Sequence, residues 1–264
     1  MDVARSADGI PVHFEVEGAG EPALVFVHGW SCDRTYWSPQ IDHFAATHEV
    51  VTVDLAGHGE SGGGRREWTM PAFGGDVVAV IEKLELRQVV LIGHSMGGDV
   101  IVEVALALPD RIAGLVWVDT YRTLGGVDTP EEAEEFVRPF RQDFTTAVEA
   151  FVQPMFVPDS DPRLVKRVVA DMSAAPPEAA VVMLEHAVTN DDAILAALPG
   201  LQAPVVAINP DYRPNDIEAL RRHGVEAVLM SGVGHFVMLE DPEAFNRLLG
   251  QTVEDFMQRG VVRA

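Results

Sequence analysis

Ser95 sits at the centre of Gly93-His94-Ser95-Met96-Gly97, a Gly-x-Ser-x-Gly run. A serine hydroxyl becomes a useful nucleophile only when it is exposed to a substrate and a base can take its proton. The spacing answers the first need. A sharp strand-to-helix turn thrusts its central side chain outward, and the positions two before and two after it must be free of side chains that would collide. The helix that follows favours developing negative charge at its N-terminus. The chemistry implied is attack on a carbonyl carbon. Five residues alone match by chance, but Val89-Val90-Leu91-Ile92 before the run and a helical pattern over 99–108 after it supply the context the turn requires. For the base, His235 lies in Gly232-Val233-Gly234-His235-Phe236, a glycine-rich loop between an apolar run and a helix, rather than on an apolar face. The histidines and carboxylates show no metal-ligand spacing, so the expected site is free of metal and cofactor.

The elements that must position these residues alternate between short apolar runs and helical stretches. That pattern predicts an α/β fold, a mostly parallel sheet with helices on both faces. Val12-Phe14-Val16 alternate as an early strand, and 24–27, 50–53, 89–92, 115–118, 205–208 and 227–230 are further strands. Residues 77–86 read as a helix, and 242–257 as a closing helix with Asp241 as N-cap. From 123 to 201 the alternation stops, leaving helical patterns punctuated by prolines. Phe136, Phe140 and Phe144 recur at i, i+4 and i+8, predicting one helix with an aromatic face. That helix could simply pack on the main core. A connection of this length in a compact domain is more often functional, which favours a helical cap over a pocket.

The formal charge of −22, from 19 Lys and Arg against 41 Asp and Glu, repels phosphate backbones and anionic lipids. Neither nucleic acid nor a membrane surface is therefore an expected partner. Cys32 is the sole cysteine, which excludes an intrachain disulfide. With no signal-peptide core near Met1 and no apolar run of membrane-spanning length, the expected location is cytoplasmic.

Taken together, these residues resemble the α/β-hydrolase family nearly end to end. His28-Gly29-Trp30 stands where the family has its oxyanion loop, Asp54-Leu55-Ala56-Gly57-His58-Gly59 matches a glycine-rich loop of the family, and His235 holds the place of the catalytic histidine. The resemblance implies an eight-stranded sheet, with residues 1–122 and 202–264 as the core and 123–201 as a helical cap between strands six and seven. It implies an oxyanion hole of the Trp30 and Met96 backbone N–H groups, with His28, His58, His94 and Asp54 bracing loops. The acid departs from the common pattern. After strand seven, where most members carry it, an ungapped count reaches Arg213, and Asp211 serves only if the loop is shortened. Asp119, at the end of strand six, needs no gap and takes the place used by other members, so Asp119 is preferred over Asp211. The expected activity is cleavage of small or medium carboxylic esters through an acyl-enzyme on Ser95. Lactone hydrolysis, cofactor-free perhydrolase (haloperoxidase-type) chemistry and C–C bond hydrolysis remain open, as does a receptor that binds small molecules without turnover. The oligomeric state is not expressed in the sequence.

Overall fold

The computed structural model describes residues 2–123, 127 and 129–263. In chain order the elements are β1 (Asp2–Arg5), β2 (Pro11–Glu17), β3 (Ala23–Val27), α1 (Ser38–Phe44), β4 (Val50–Val53), α2 (Met70–Lys83), β5 (Val89–His94), α3 (Met96–Ala107) and β6 (Ile112–Val118). Then follow α4 (Pro130–Gln142), α5 (Phe144–Val152), α6 (Pro162–Ser173), α7 (Pro177–Val188) and α8 (Asp191–Ala197). The chain closes with β7 (Val205–Pro210), α9 (Ile217–Arg222), β8 (Val225–Met230), α10 (Val237–Glu240) and α11 (Pro242–Arg263).

One eight-stranded sheet runs β1-β2-β4-β3-β5-β6-β7-β8. β2 pairs antiparallel with both neighbours, and every pairing from β4 to β8 is parallel. β3, β5 and β6 are almost wholly buried, which explains their continuous apolar runs. Helices cover both faces. Gly114 and Trp117 of β6 are three apart, so they point to opposite sides. A Cβ on Gly114 would meet the Phe256 ring of α11, while the Trp117 indole donates to the Gly98 carbonyl of α3 at 3.0 Å.

The register decides where the chemistry lies. Val27 pairs with Gly93, Gly93 with Trp117, His94 with Val118, and Val118 with Ile208. The strands therefore end side by side, and whatever follows each one emerges at the same edge of the sheet. Ser95 N–H donates to the Val118 carbonyl at 3.0 Å and Asp119 N–H to that of Ile208 at 3.1 Å, extending the ladder by one residue.

Several boundaries differ from the sequence reading. β1 was not expected, because only Ala4 of its four residues is buried and no apolar alternation betrays it; backbone pairing to β2 holds it. α2 starts at Met70, not at 77, since the Thr69 side chain accepts from the Ala72 N–H and opens the helix earlier. α3 begins directly after Ser95 rather than at 99. The three-phenylalanine helix is two helices: Asp143 turns the chain out, accepts from Thr146 N–H and opens α5 at Phe144. The rings still converge, with Phe140, Phe144 and Phe151 edge-on around Trp30 at centroid distances of 5.6, 6.1 and 6.0 Å. Of the stretch 123–201, residues 124–126 and 128 lie outside the described residues. No helix among the described residues is long and apolar enough to cross a membrane.

Candidate active site

Ser95 occupies φ 52° and ψ −122°, a backbone region that non-glycine residues rarely adopt. The flanking glycines make it attainable. A Cβ on Gly93 would stand 2.2 Å from the Gly97 carbonyl oxygen, so the sequence-level reason holds there. At Gly97 the collision is a different one, with the carbonyl oxygens of Val27 and His28 at 2.5 and 2.6 Å. The end of β3 presses against the first turn of α3, and only glycine admits it.

Ser95 is half-buried and lines a cavity of about 350 Å³ together with Trp30, Met96, Asp119 and His235. Met96 heads α3, where the first N–H groups of a helix lack intrahelical partners. Apolar side chains from α5, α6 and α7, among them Phe151, Met172, Leu184 and Val188, form the opposite wall. The Trp30 indole donates to the Ala180 carbonyl of α7 at 2.7 Å, fastening this wall to the loop after β3.

His235 Nδ1 lies 2.6 Å from Asp119 Oδ2, across 116 residues of chain. A carboxylate only accepts, so Nδ1 carries a proton, and it is the neutral ring in this tautomer that has its lone pair on Nε2. The His235 N–H donates to the Met155 carbonyl at 2.7 Å, and a Cβ on Gly234 would fall 2.1 Å from that same oxygen. Asp211 is elsewhere: it is exposed in the loop after β7 and accepts from the Ser231 hydroxyl. Arg213 donates to the Pro154 carbonyl at 2.8 Å.

A sequence model of the alpha/beta hydrolase family matches residues 24–248. The chain belongs to that family. Among its relatives, the 3-oxoadipate enol-lactonase 2 of Acinetobacter baylyi is 25% identical over 95% of this chain and 96% of that protein. The pimeloyl-[acyl-carrier protein] methyl ester esterase of Yersinia enterocolitica is 28% identical over 94% and 98%. A thermophilic esterase from Thermogutta terrifontis superposes with a TM-score of 0.83 at 25% identity, covering 97% of this chain and 98% of its own.

The other histidines of this α/β hydrolase hold loops. His28 accepts from Leu55 N–H at 3.1 Å through Nε2, which puts its proton on Nδ1, facing the Gly29 carbonyl at 2.8 Å. His58 Nε2 accepts from Ser31 N–H at 3.2 Å. His94 Nε2 donates to the His235 carbonyl at 3.0 Å, and the two rings lie 4.5 Å apart. Burial disfavours the charged imidazolium in all three; it lowers the pKa of His58 to about 3 and that of His94 well below 6.5. Asp54 accepts from the N–H groups of Arg34 and Glu60 and pairs with the Arg34 guanidinium at 2.6 Å. Burial pushes the Cys32 thiol up, so this pocket-lining cysteine stays protonated.

Sequence reasoning missed five residues around the site. Glu240 Oε1 accepts from the N–H groups of Gly234 and Phe236 at 2.9 and 3.3 Å, bracing the His235 loop from α10. Asp99 lines the cavity, accepts from the Tyr121 hydroxyl at 2.9 Å, and is raised to about 7 chiefly by burial. Arg122 donates through Nη1 to Asp119 Oδ2 at 3.4 Å and to the Tyr212 hydroxyl at 3.1 Å. None of the five carries a local motif.

Proposed function

We propose that this protein is a serine hydrolase of carboxylic esters, with Ser95 as nucleophile, His235 as base and Asp119 as the acid that orients it. The observation that carries the reading is the 2.6 Å contact between His235 Nδ1 and Asp119 Oδ2, in a cavity that Ser95 also lines. That contact leaves Nε2 unprotonated and able to take the Ser95 proton. Ser95 Oγ then adds to the ester carbonyl carbon, and the oxyanion is held by the Trp30 and Met96 N–H groups. The imidazolium returns its proton to the departing alkoxide. Water, deprotonated by the same histidine, cleaves the acyl-enzyme and frees the acid and Ser95.

Residues 123–201 serve in this reading as the cap. The apolar wall that α5, α6 and α7 present to the cavity supports that role and favours an apolar acyl or alcohol part. A cavity of about 350 Å³ suits small to medium substrates. Cyclic esters fall in the same class, a reading favoured by the full-length likeness to an enol-lactonase. The chain has one cysteine, buried, and needs no oxidising compartment, in keeping with a cytoplasmic enzyme.

The test is labelling with a fluorophosphonate, mapped by mass spectrometry, followed by turnover on an acyl-chain-length series of chromogenic esters. The expected adduct is on Ser95, with multiple turnovers. Ser95→Ala is expected to lose both the label and about 10³-fold or more of the activity. Near-normal turnover in folded Ser95→Ala refutes the mechanism, and a single turnover in the native protein indicates a receptor.

A further inference from the structure

We propose that Arg122, steadied by Tyr212, is a positioning residue that holds the Asp119 carboxylate in place and aimed at His235. The proposal rests on the reading of Asp119 as the triad acid. The Asp119 side chain is fully buried, and its Oδ1 has no hydrogen-bond partner among the described residues. Everything that compensates the charge converges on Oδ2: His235 Nδ1 at 2.6 Å and Arg122 Nη1 at 3.4 Å. A neutral imidazole provides a hydrogen bond but no charge. A buried carboxylate is costly without a partner of opposite charge, and the Arg122 guanidinium is placed to be that partner.

Arg122 is itself held in place. Its Nη1 donates to the Tyr212 hydroxyl at 3.1 Å, and its guanidinium carbon lies 5.4 Å from the centre of the Tyr212 ring. Arg213 approaches the same ring at 5.2 Å and is tied to the Pro154 carbonyl at 2.8 Å. The loop after β7, where most family members carry their acid, here delivers an aromatic clamp for the cation on an acid that comes from β6.

The arrangement has an electrostatic consequence. A fixed positive charge beside the acid disfavours a second positive charge on the neighbouring imidazole, and the pH profile of activity reads that interaction. The other groups facing His235 do not supply that charge. His94, packed on it from the end of β5, is kept neutral by burial, and Glu240 on α10 is bound to the loop N–H groups. Cys32 stays protonated, Asp99 and Asp191 line the cavity and carry no positive charge, and Arg213 is exposed and engaged by Pro154.

The test is the pH profile of kcat/KM on an uncharged chromogenic ester for the native enzyme, Arg122→Met, Arg122→Lys, Tyr212→Phe and Asp119→Asn. Arg122→Met is expected to move the acidic limb up by about 0.5–1 pH unit. Arg122→Lys, which keeps the charge, should restore most of that shift. Tyr212→Phe keeps the ring and deletes only the hydroxyl, so it should move the limb the same way by a smaller step; it carries the test if Arg122→Met does not fold. An unmoved limb in folded Arg122→Met, with Asp119→Asn crippled, overturns this proposal and leaves the triad standing. KM is also measured on a carboxylate-bearing ester, and an unmoved limb with KM raised only for that ester likewise overturns this proposal and assigns the guanidinium to the substrate. Near-native activity in Asp119→Asn overturns the triad reading itself.

Discussion

In Asp119→Asn the side chain keeps its volume and loses its charge. Which way the new amide turns decides what is lost. The Oδ2 position faces two donors, Arg122 Nη1 and His235 Nδ1. An amide nitrogen placed there would set N–H against the guanidinium N–H, so the amide oxygen takes that position. The NH₂ group then falls at the Oδ1 position, which makes no hydrogen bond in the native protein. His235 therefore keeps its proton on Nδ1, and the asparagine does not force the wrong tautomer, a change that can cost about 10⁴-fold. The remaining loss is the attraction between carboxylate and imidazolium. At about 4 Å between charge centres and an effective dielectric of about 20, that is about 4 kcal/mol, or about 10³-fold in rate. The assay is kcat on a chromogenic ester, with circular dichroism to show that the variant is folded. Asp211→Asn, in its exposed loop, is expected to cost less than about tenfold. Activity within tenfold of native in Asp119→Asn, or a larger loss in Asp211→Asn, refutes the reasoning.

Stability should fall as the solution is acidified below about pH 6.5. His28, His58 and His94 are held neutral in the fold and protonate on unfolding, so their contribution is present above that pH and is lost towards their lower folded values. Asp99, raised to about 7, works oppositely: its contribution is present below about pH 4 and is lost as pH rises through 7; Asp76, also raised, has the same sign. The lowered histidines outnumber the raised carboxyl groups, so the expected balance is a loss of stability from pH 6 to pH 4, and a Tm that is flat over this range contradicts it. Gly97→Ala should cost about 3 kcal/mol or more in urea unfolding, because its Cβ meets two backbone carbonyls of the β3 end; a native-like midpoint would show that the end of β3 can yield. Glu240→Ala should lower kcat about 10- to 100-fold by loosening the His235 loop, with fluorophosphonate labelling slowed in parallel; unchanged kcat would mean that the Met155 carbonyl suffices to hold it.

The tight turn at Ser95 was legible in the sequence because its constraint is local. The turn needs glycine two residues either side, a strand before and a helix after, and all of that lies within about twenty residues of chain. The buried parallel strands were legible for the same kind of reason, since burial on both faces demands unbroken apolar runs such as Val89-Val90-Leu91-Ile92. Asp119 was preferred over Asp211 because it needs no gap to stand at the end of the sixth strand and because a carboxylate at a buried strand end needs a partner such as a histidine N–H. β1 escaped because backbone pairing, not side-chain burial, holds it. The phenylalanine helix was misjudged because Asp143 satisfies a helix start better than it continues one.

The sequence by itself determined the kinds of element, their order and the tight turn that carries Ser95, since local sterics and apolar periodicity act between near neighbours. Tertiary structure alone decided which distant groups meet. His235 and Asp119 are 116 residues apart, Arg122 and Tyr212 are 90 apart, and the Met155 carbonyl that receives the His235 N–H comes from between β6 and β7. Such pairs share no periodicity and no motif. They exist because the register of eight strands brings the ends of β3, β5, β6 and β7 to one edge, and only there do short loops and a half-open cavity bring the charges within hydrogen-bonding reach.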